Sequence, residues 1–205
     1  MIPLRDANPT RRVPVVSVGL IAASSAVFIY ELILESTDAG AGLTRFFTQF
    51  GVLPVDVTAA FAAGDVVSAA GLSLLTSQFL HAGWLHLLGN MLYLWIFGNN
   101  IEDRLGRPLF ILFYLVGGAI AALAQVAIEP RSTVPLVGAS GAISATLGAY
   151  LVLYPRARVL SLVFLGFFYQ LVEVPALFVL GFWFIFQLID GFLALGAPTS
   201  VEGGV

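Results

Sequence analysis

Five long apolar runs, separated by gaps that hold most of the charges, constrain the fold of this chain more than any other feature. The runs cover residues 13–34, 86–101, 109–128, 140–154 and 175–195. Hydrophobic residues make up 59% of the 205 residues and charged residues 10%, against about a quarter in soluble domains. A bilayer core roughly 30 Å thick needs helices of about 20 residues. We therefore predict an all-α, polytopic membrane helix bundle with five transmembrane helices.

The basic residues indicate how these helices are oriented, because arginines beside helix ends stay preferentially in the cytoplasm. With the N-terminus inside, seven of the nine basic residues are cytoplasmic and two, Arg45 and Arg131, are outside. The seven are Arg5, Arg11, Arg12, Arg104, Arg107, Arg156 and Arg158. The net charge of −3 and the lack of a basic stripe argue against a nucleic acid partner. The lipid bilayer is the partner that the composition predicts.

The organisation is that of a single domain, 1–205, with one long outer loop at 36–78. Loops of this length in compact proteins are usually functional or disordered. Aromatic residues favour an ordered loop, and segments 43–50 and 55–63 are predicted to be short amphipathic helices at headgroup depth. The apolar connection at 155–173 is interpreted as a buried or interfacial connector rather than a sixth span.

Chemistry is indicated by Ser140, which lies between small residues at the predicted start of a helix. A helix start presents unpaired backbone N–H groups and a partial positive charge, which stabilise a negative oxygen. Gly138 and Gly141 remove side chains that would block a substrate carbonyl and permit a tight turn that exposes the hydroxyl. This pattern predicts a nucleophilic serine.

A second polar group is formed by His86 and Asn90, which are four residues apart and share one helical face. An imidazole and an asparagine amide are side-chain donors of the kind found in oxyanion holes. His81 is expected to precede the helix and to shape the mouth of the site. Two histidines, with no cysteine in the chain, make a poor zinc site, so we predict neither a metal nor a cofactor.

Each motif also has a purely structural interpretation. The small residues Gly138, Gly141, Ala145 and Gly148 are typical of a seam along which membrane helices pack closely. An intramembrane histidine or asparagine can hydrogen-bond a neighbouring helix, although polar groups at such depth are costly enough to be functional candidates. The residues alone leave both interpretations open.

The order and spacing of the motifs resemble the rhomboid family of intramembrane serine proteases. The resemblance rests on TSQFLHAGWLHLLGNM at 76–91, IFGNNIEDRLG at 96–106 and VGASGA at 137–142. The segment LGFWFIFQL at 180–188 is also similar to the fifth helix of bacterial members. The resemblance covers nearly the whole chain and implies a bundle of six helices around a water-filled cavity open to the outside.

The resemblance also implies roles for individual residues. Ser140 matches the nucleophile, His86 and Asn90 match the oxyanion-stabilising side chains, and His81 matches a further histidine at the rim. Gly138 belongs to the substrate side of the site, and Trp183 lies on the helix that acts as a lateral gate. Structural roles are implied for Glu102 and Gly106 of a cytoplasmic Glu-x3-Gly corner, and for Gly141.

One element of the family pattern is not found in these 205 residues. Members carry the general base, a histidine followed by small residues, on a sixth helix, and both histidines here precede Ser140. We expect a sequence truncated before that helix, and near inactivity of the chain as written.

The predicted function is hydrolysis of peptide bonds in or near transmembrane segments of membrane-protein substrates. The expected location is a bacterial inner membrane, with the N-terminus cytoplasmic and the active site opening outward. An inactive pseudoprotease that binds transmembrane clients is the alternative. An unrelated transporter is disfavoured because no internal repeats are visible. The sequence identifies neither the substrate nor the oligomeric state.

Overall fold

The computed structural model describes residues 1–165 and 168–196, with only the backbone at 165 and 190–196. Helices account for most of it. In chain order the elements are β1 (Ile2–Asp6), α1 (Val15–Ser36), α2 (Ala41–Phe50), α3 (Pro54–Ala62), α4 (Ala69–Thr76), α5 (Trp84–Tyr93), α6 (Asn99–Leu105), α7 (Arg107–Ile128), α8 (Ser140–Leu153), β2 (Arg158–Leu165), β3 (Phe168–Pro175) and α9 (Ala176–Gly196). A π-helical turn, Leu94–Gly98, joins α5 to α6 without a break. The sixth-helix expectation concerns sequence beyond the described residues.

Two helices of the described chain, α1 and α7, are long and apolar enough to cross a bilayer by length and composition. Each has 22 residues, which corresponds to roughly 33 Å of helix. The continuous α5–α6 segment, α8 and α9 coincide with the other three apolar runs, and their crossing of the membrane stays a prediction. Exposed apolar side chains cover much of the helical surface, as an integral membrane protein requires.

The all-α expectation is wrong in one respect, because β1, β2 and β3 form a small antiparallel sheet in that order. The sheet includes most of the connection at 155–173, interpreted above as a buried or interfacial connector. Strands β2 and β3 pair from Arg158 with Pro175 to Leu165 with Phe168. Valine, leucine and aromatic residues dominate both strands and favour extended chain. An uninterrupted apolar run lacks the alternation that reveals a half-buried strand.

The outer loop is ordered as three short helices rather than as a turn. Helices α2 and α3 lie where the two amphipathic segments were predicted, and α4 was not predicted. A short antiparallel bridge ties the loop to the α7–α8 connection, through Val52 N–H to Leu136 O at 3.0 Å and Leu136 N–H to Val52 O at 2.8 Å. Val52 is fully buried at this bridge. The outer loop is therefore fixed two residues before Gly138.

Helices α7 and α8 approach each other closely at two crossing points. A methyl group built on Gly117 would lie 2.6 Å from Cβ of Ala145, and one built on Gly141 would lie 2.6 Å from Cβ of Ala121. Such distances leave no room for a larger side chain, and small residues of this kind let membrane helices pack backbone to backbone. The seam fixes the position of α8, and with it the position of Ser140.

The end of the bundle that holds the N-terminus of α1 contains a group of satisfied polar side chains, which we call the corner cluster: Asp6, Asn8, Asn100, Glu102 and Tyr150. Glu102 caps α1, since its carboxylate accepts the Val16 N–H at 3.0 Å and the Ser17 N–H at 2.8 Å. It also accepts the Ser17 hydroxyl at 2.9 Å. These bonds satisfy N–H groups that have no partner within their own helix.

Asp6 organises the rest of the corner cluster. Its Oδ2 accepts Nδ2 of Asn100 at 2.8 Å, the hydroxyl of Tyr150 at 2.9 Å and Nδ2 of Asn8 at 3.2 Å. Burial raises the pKa of the Asp6 carboxyl, while these hydrogen bonds act in the opposite direction. The cluster joins β1, α6 and α8, and it attaches the small sheet to the helices.

Candidate active site at the start of helix α8

Ser140 is the first residue of α8 and is almost completely buried. Ala139 before it is also buried, and the Ala139 carbonyl accepts the Ile143 N–H at 2.9 Å, which closes the first turn of the helix. The free N–H groups of a first turn point out of the helix end. Ser140 therefore lies where a developing negative charge would be stabilised by the helix N-terminus.

Gly138 connects the serine to the histidine–asparagine pair. Its φ of +128° favours glycine, and its N–H donates to the Ser77 carbonyl at 2.9 Å. A methyl group built on Gly138 would lie 2.6 Å from Nε2 of His86 and 3.9 Å from Nδ2 of Asn90. The structure thus brings together Gly138, Ser140, His86 and Asn90, which the sequence separates by some 50 residues. It places the α5 side chains against the turn that presents the serine.

Asn90 is 1% exposed, and neither its Nδ2 nor its Oδ1 has a hydrogen-bond partner among the residues that the structure describes. Buried side-chain amides are normally paired with protein or water. An unpartnered buried amide beside a serine at a helix start can donate to a substrate oxygen without first breaking a bond to the protein. This is the preorganisation that oxyanion stabilisation requires.

His81 lies just before α5, as predicted, and is fully buried. Its ring packs against that of His86, with centroids 5.1 Å apart and planes at 67°. Nδ1 of His81 is 3.2 Å from the Phe79 carbonyl. A carbonyl only accepts, so Nδ1 carries the hydrogen, and in the neutral imidazole Nε2 is then the bare nitrogen. His86 itself is half-buried. The two histidines therefore form one packed pair at the site.

A cavity of about 220 Å³ borders Ser140 on the side formed by α7. Its polar lining includes three glutamines that the sequence analysis did not single out: Gln78, Gln125 and Gln187. Gln125 and Gln187 lie in apolar helices, where a glutamine is costly unless it faces water or a partner, and this signal could have identified them. Gly138 and Gly141 also line the cavity, so the backbone around the serine faces open space.

Helix α9 contributes two residues with different surroundings. Trp183, the predicted gate residue, packs on Tyr93 of α5 with ring centroids 4.1 Å apart. Gln187, one turn further along α9, lines the cavity beside Ser140. The structure therefore places Trp183 at the α5–α9 contact and does not include it among the residues that line this cavity.

The remaining predicted residues are structural in their contacts. Glu102 caps α1, as described, and Gly106 separates α6 from α7 with a φ of +80°. Gly141 packs against Ala121 within the α7–α8 seam. A serine hydroxyl at a helix start, with an amide and an imidazole close to the turn before it, is an arrangement that could perform acyl transfer through a tetrahedral intermediate.

Comparisons with known proteins point to one family. The Rhomboid domain family profile matches residues 68–202. The chain is similar to the putative rhomboid protease YdcA of Bacillus subtilis, with 41% identity over 78 residues, 38% of this chain and 39% of that protein. It is similar to rhomboid protease GluP of the same organism, with 42% identity over 78 residues, 38% of this chain and 15% of the relative.

A mitochondrial relative also matches. Rhomboid protein 1 of Saccharomyces cerevisiae is 35% identical over 97 residues, which cover 45% of this chain and 28% of the yeast protein. Each of these matches spans less than two fifths of the relative's own length. The family profile, in contrast, covers well over half of this chain. The chain therefore belongs to the rhomboid family of intramembrane serine proteases.

Proposed function

We propose that this protein hydrolyses peptide bonds in or near the transmembrane segments of other membrane proteins. The observation that carries the proposal is the close approach of His86 and Asn90 to Gly138, two residues before Ser140. This approach supports the proposal, because two candidate oxyanion donors then lie near a buried serine at a helix start. Family membership supports the same reaction class.

In the proposed reaction the Ser140 hydroxyl attacks the scissile carbonyl carbon and loses its proton to a base. The carbonyl oxygen becomes an oxyanion, which the Ser140 N–H, Asn90 and His86 stabilise. Collapse of this intermediate breaks the C–N bond and leaves an acyl-enzyme, while the amine takes up the proton. Water then attacks the acyl carbon and gives its proton to the base. Collapse of this second intermediate releases the carboxylic acid and returns the proton to the Ser140 oxygen.

The base is a further part of the proposal. The chain contains two histidines, and both belong to the packed pair on the oxyanion side of Ser140. We propose that the base is a histidine outside these 205 residues, on the sixth helix that the family resemblance implies. A catalytically inactive protein that binds transmembrane clients is the second candidate, because both histidines of these 205 residues belong to the packed pair.

Placement in the membrane completes the proposal. Five helices cross the bilayer, the N-terminus is cytoplasmic, and the Ser140 site opens toward the outside of a bacterial plasma membrane. The distribution of arginines supports this orientation. Because the chain has no cysteine, single cysteines introduced at Gly64 and at Arg156 can test it with an impermeant thiol reagent on intact cells. Labelling of the first position alone is expected, and the reverse pattern would contradict the orientation.

The decisive test of function is cleavage of a model transmembrane substrate in proteoliposomes by the full-length protein, including the proposed sixth helix. Ser140→Ala is expected to lower kcat by at least ~10³-fold. Ser144→Ala is the matched control, since Ser144 lies one turn along α8, lines the same cavity and has no assigned role. Its kcat should stay within about twofold of wild type. Substrate binding without cleavage by the wild type would favour the pseudoprotease instead.

A further inference from the structure

A buried carboxylate in α1 is not explained by the site as described so far. Glu31 is 2% exposed and lies in a helix that is otherwise apolar around it. No arginine lies within ion-pair distance of it among the described residues. An acidic side chain inside a membrane helix is costly and is a functional candidate by default. Glu31 must therefore be stabilised by a donor other than an arginine.

The contact of Glu31 leads directly to the site. Both carboxylate oxygens lie 3.3 Å from the backbone N of His81, so the two oxygens share the His81 N–H. His81 lies between the 3-10 turn Ser77–Phe79 and the start of α5 at Trp84. Its N–H has no helical partner in this position, and Glu31 supplies the acceptor.

The segment 77–81 is thus held at both ends. At one end the Ser77 carbonyl accepts the Gly138 N–H at 2.9 Å, next to the serine turn. At the other end Glu31 accepts the His81 N–H. Within the segment, the Leu80 N–H donates to the Ser77 carbonyl at 3.2 Å. A displacement of the His81 backbone would therefore also reach the turn that presents Ser140.

The contact between Glu31 and the His81 backbone is also connected to the two imidazole rings. The Nδ1–H of His81 donates to Phe79 O within this segment, and the His81 ring packs against His86. His86 in turn lies against Gly138. The series of contacts runs from a carboxylate in α1, through the His81 backbone and ring, to the donor ring beside the serine. Each step is a direct contact between buried or half-buried groups.

We propose that Glu31 is a positioning residue of this site: by holding the His81 backbone, it fixes the His81–His86 ring pair against Gly138. The inference rests on the proposed function for its catalytic consequence, because only a cleaving enzyme shows an effect on kcat. The positions of the His81 backbone and of the two histidine rings do not depend on cleavage, and they can be measured on the 205-residue chain.

The first measurement uses the two histidines as reporters. Protein labelled with ¹⁵N-histidine gives two backbone amide signals and two sets of ring signals, one each for His81 and His86. In detergent micelles we expect His81 of the wild type to show a single Nδ1–H tautomer. Glu31→Leu should shift the His81 amide proton upfield and replace the single tautomer with exchange-averaged ring signals. The His86 ring signals should move as well.

Two further variants keep the test decisive if Glu31→Leu does not fold. Glu31→Gln retains an acceptor oxygen at nearly the same reach, and is expected to preserve the single His81 tautomer while shifting the His81 amide signal. Glu35→Leu is the matched control, since Glu35 is one turn along the same helix and exposed, and it should leave both histidines unchanged. Unchanged His81 signals in Glu31→Leu, or in Glu31→Gln if that variant alone folds, would overturn the inference.

The second measurement is kinetic and uses the full-length protein, including the proposed sixth helix. Glu31→Leu is expected to lower kcat roughly 10- to 100-fold with KM within about twofold, since small misplacements of catalytic groups have effects of this size. Glu31→Gln should recover most of the rate. If wild type cleaves nothing, the proposed function fails and the histidine signals still decide the role of Glu31. If wild type cleaves and Glu31→Leu cleaves equally well, only the Glu31 inference fails.

Discussion

The corner cluster and the serine site are both built from buried polar side chains, but they differ in how those side chains are paired. In the corner cluster Asp6 accepts four hydrogen bonds and Glu102 accepts three. Around the serine, Asn90 and Nε2 of His81 have no partner within the described part of the chain. Satisfied groups lower the free energy of the fold, whereas unsatisfied ones keep their capacity for a substrate. The two regions therefore predict opposite responses to mutation.

The largest effect is expected from Gly138→Ala, which should damage the serine site in two ways. The new methyl group would collide with Nε2 of His86, and alanine is strained at a φ of +128°. We expect cleavage to fall more than ~100-fold and the free energy of unfolding to drop by about 1–3 kcal/mol. Cleavage of a transmembrane substrate and thermal unfolding measure the two effects. Gly148→Ala, where a methyl group meets nothing within 4 Å, is the control.

Asn90→Ala sharpens the comparison, because it removes a donor that has no hydrogen-bond partner among the described residues. Cleavage is expected to fall by ~10²–10³-fold, the usual effect of removing one oxyanion-hole donor. The thermal midpoint should stay equal to that of wild type or rise, since an unsatisfied buried amide is lost. A clear loss of stability would show that Asn90 belongs with the structural polar groups.

Glu102→Ala is the converse test, in the corner cluster. It leaves two N–H groups and one hydroxyl at the start of α1 without their acceptor. We expect a loss of about 1–3 kcal/mol in the free energy of unfolding. Cleavage measured well below the midpoint should be close to wild type. Retained stability together with lost cleavage would contradict the division into a stabilising corner cluster and a functional serine site.

The smallest effect concerns pH. Burial raises the pKa of Asp6 in the folded protein above its ordinary value, which the unfolded chain retains. Between these two pKa values the folded protein holds a proton that the unfolded chain releases, so Asp6 makes stability fall as pH rises through that window. Thermal midpoints compared from about pH 4 to about pH 7 should fall more for wild type than for Asp6→Asn. Parallel curves would contradict this assignment.

The sequence supplies the candidate site residues, but not the small sheet or the long-range contacts around them. Ser140, His86 and Asn90 occur in short motifs whose local geometry follows from helix periodicity and from glycine. Their convergence on Gly138 is visible in the structure, whereas their catalytic roles remain proposals. The partner of Glu102 could not be predicted, because its contact with α1 joins residues some 85 positions apart.

The misses have physical reasons as well. Strands β2 and β3 are apolar on both faces, so their composition resembles that of a buried connector or helix, and β1 needs their edge in order to form. Glu31 lies within a predicted span, and nothing in the local sequence reveals that the His81 backbone lies opposite. Gln187 follows Trp183 by one turn, and only the packing of α9 on α8 decides which of the two reaches the cavity.

The seam between α7 and α8 has a consequence for how sequences of this kind can diverge. At each crossing point there is room for a single methyl group, held by Ala145 opposite Gly117 and by Ala121 opposite Gly141. The two residues of each pair, Gly117 with Ala145 and Gly141 with Ala121, should therefore change together during evolution. A lineage that acquires alanine at 117 is expected to carry glycine at 145, and the intermediate with two methyl groups should be purged. Helices α7 and α8 can therefore change at these two crossing points only by such compensated exchanges.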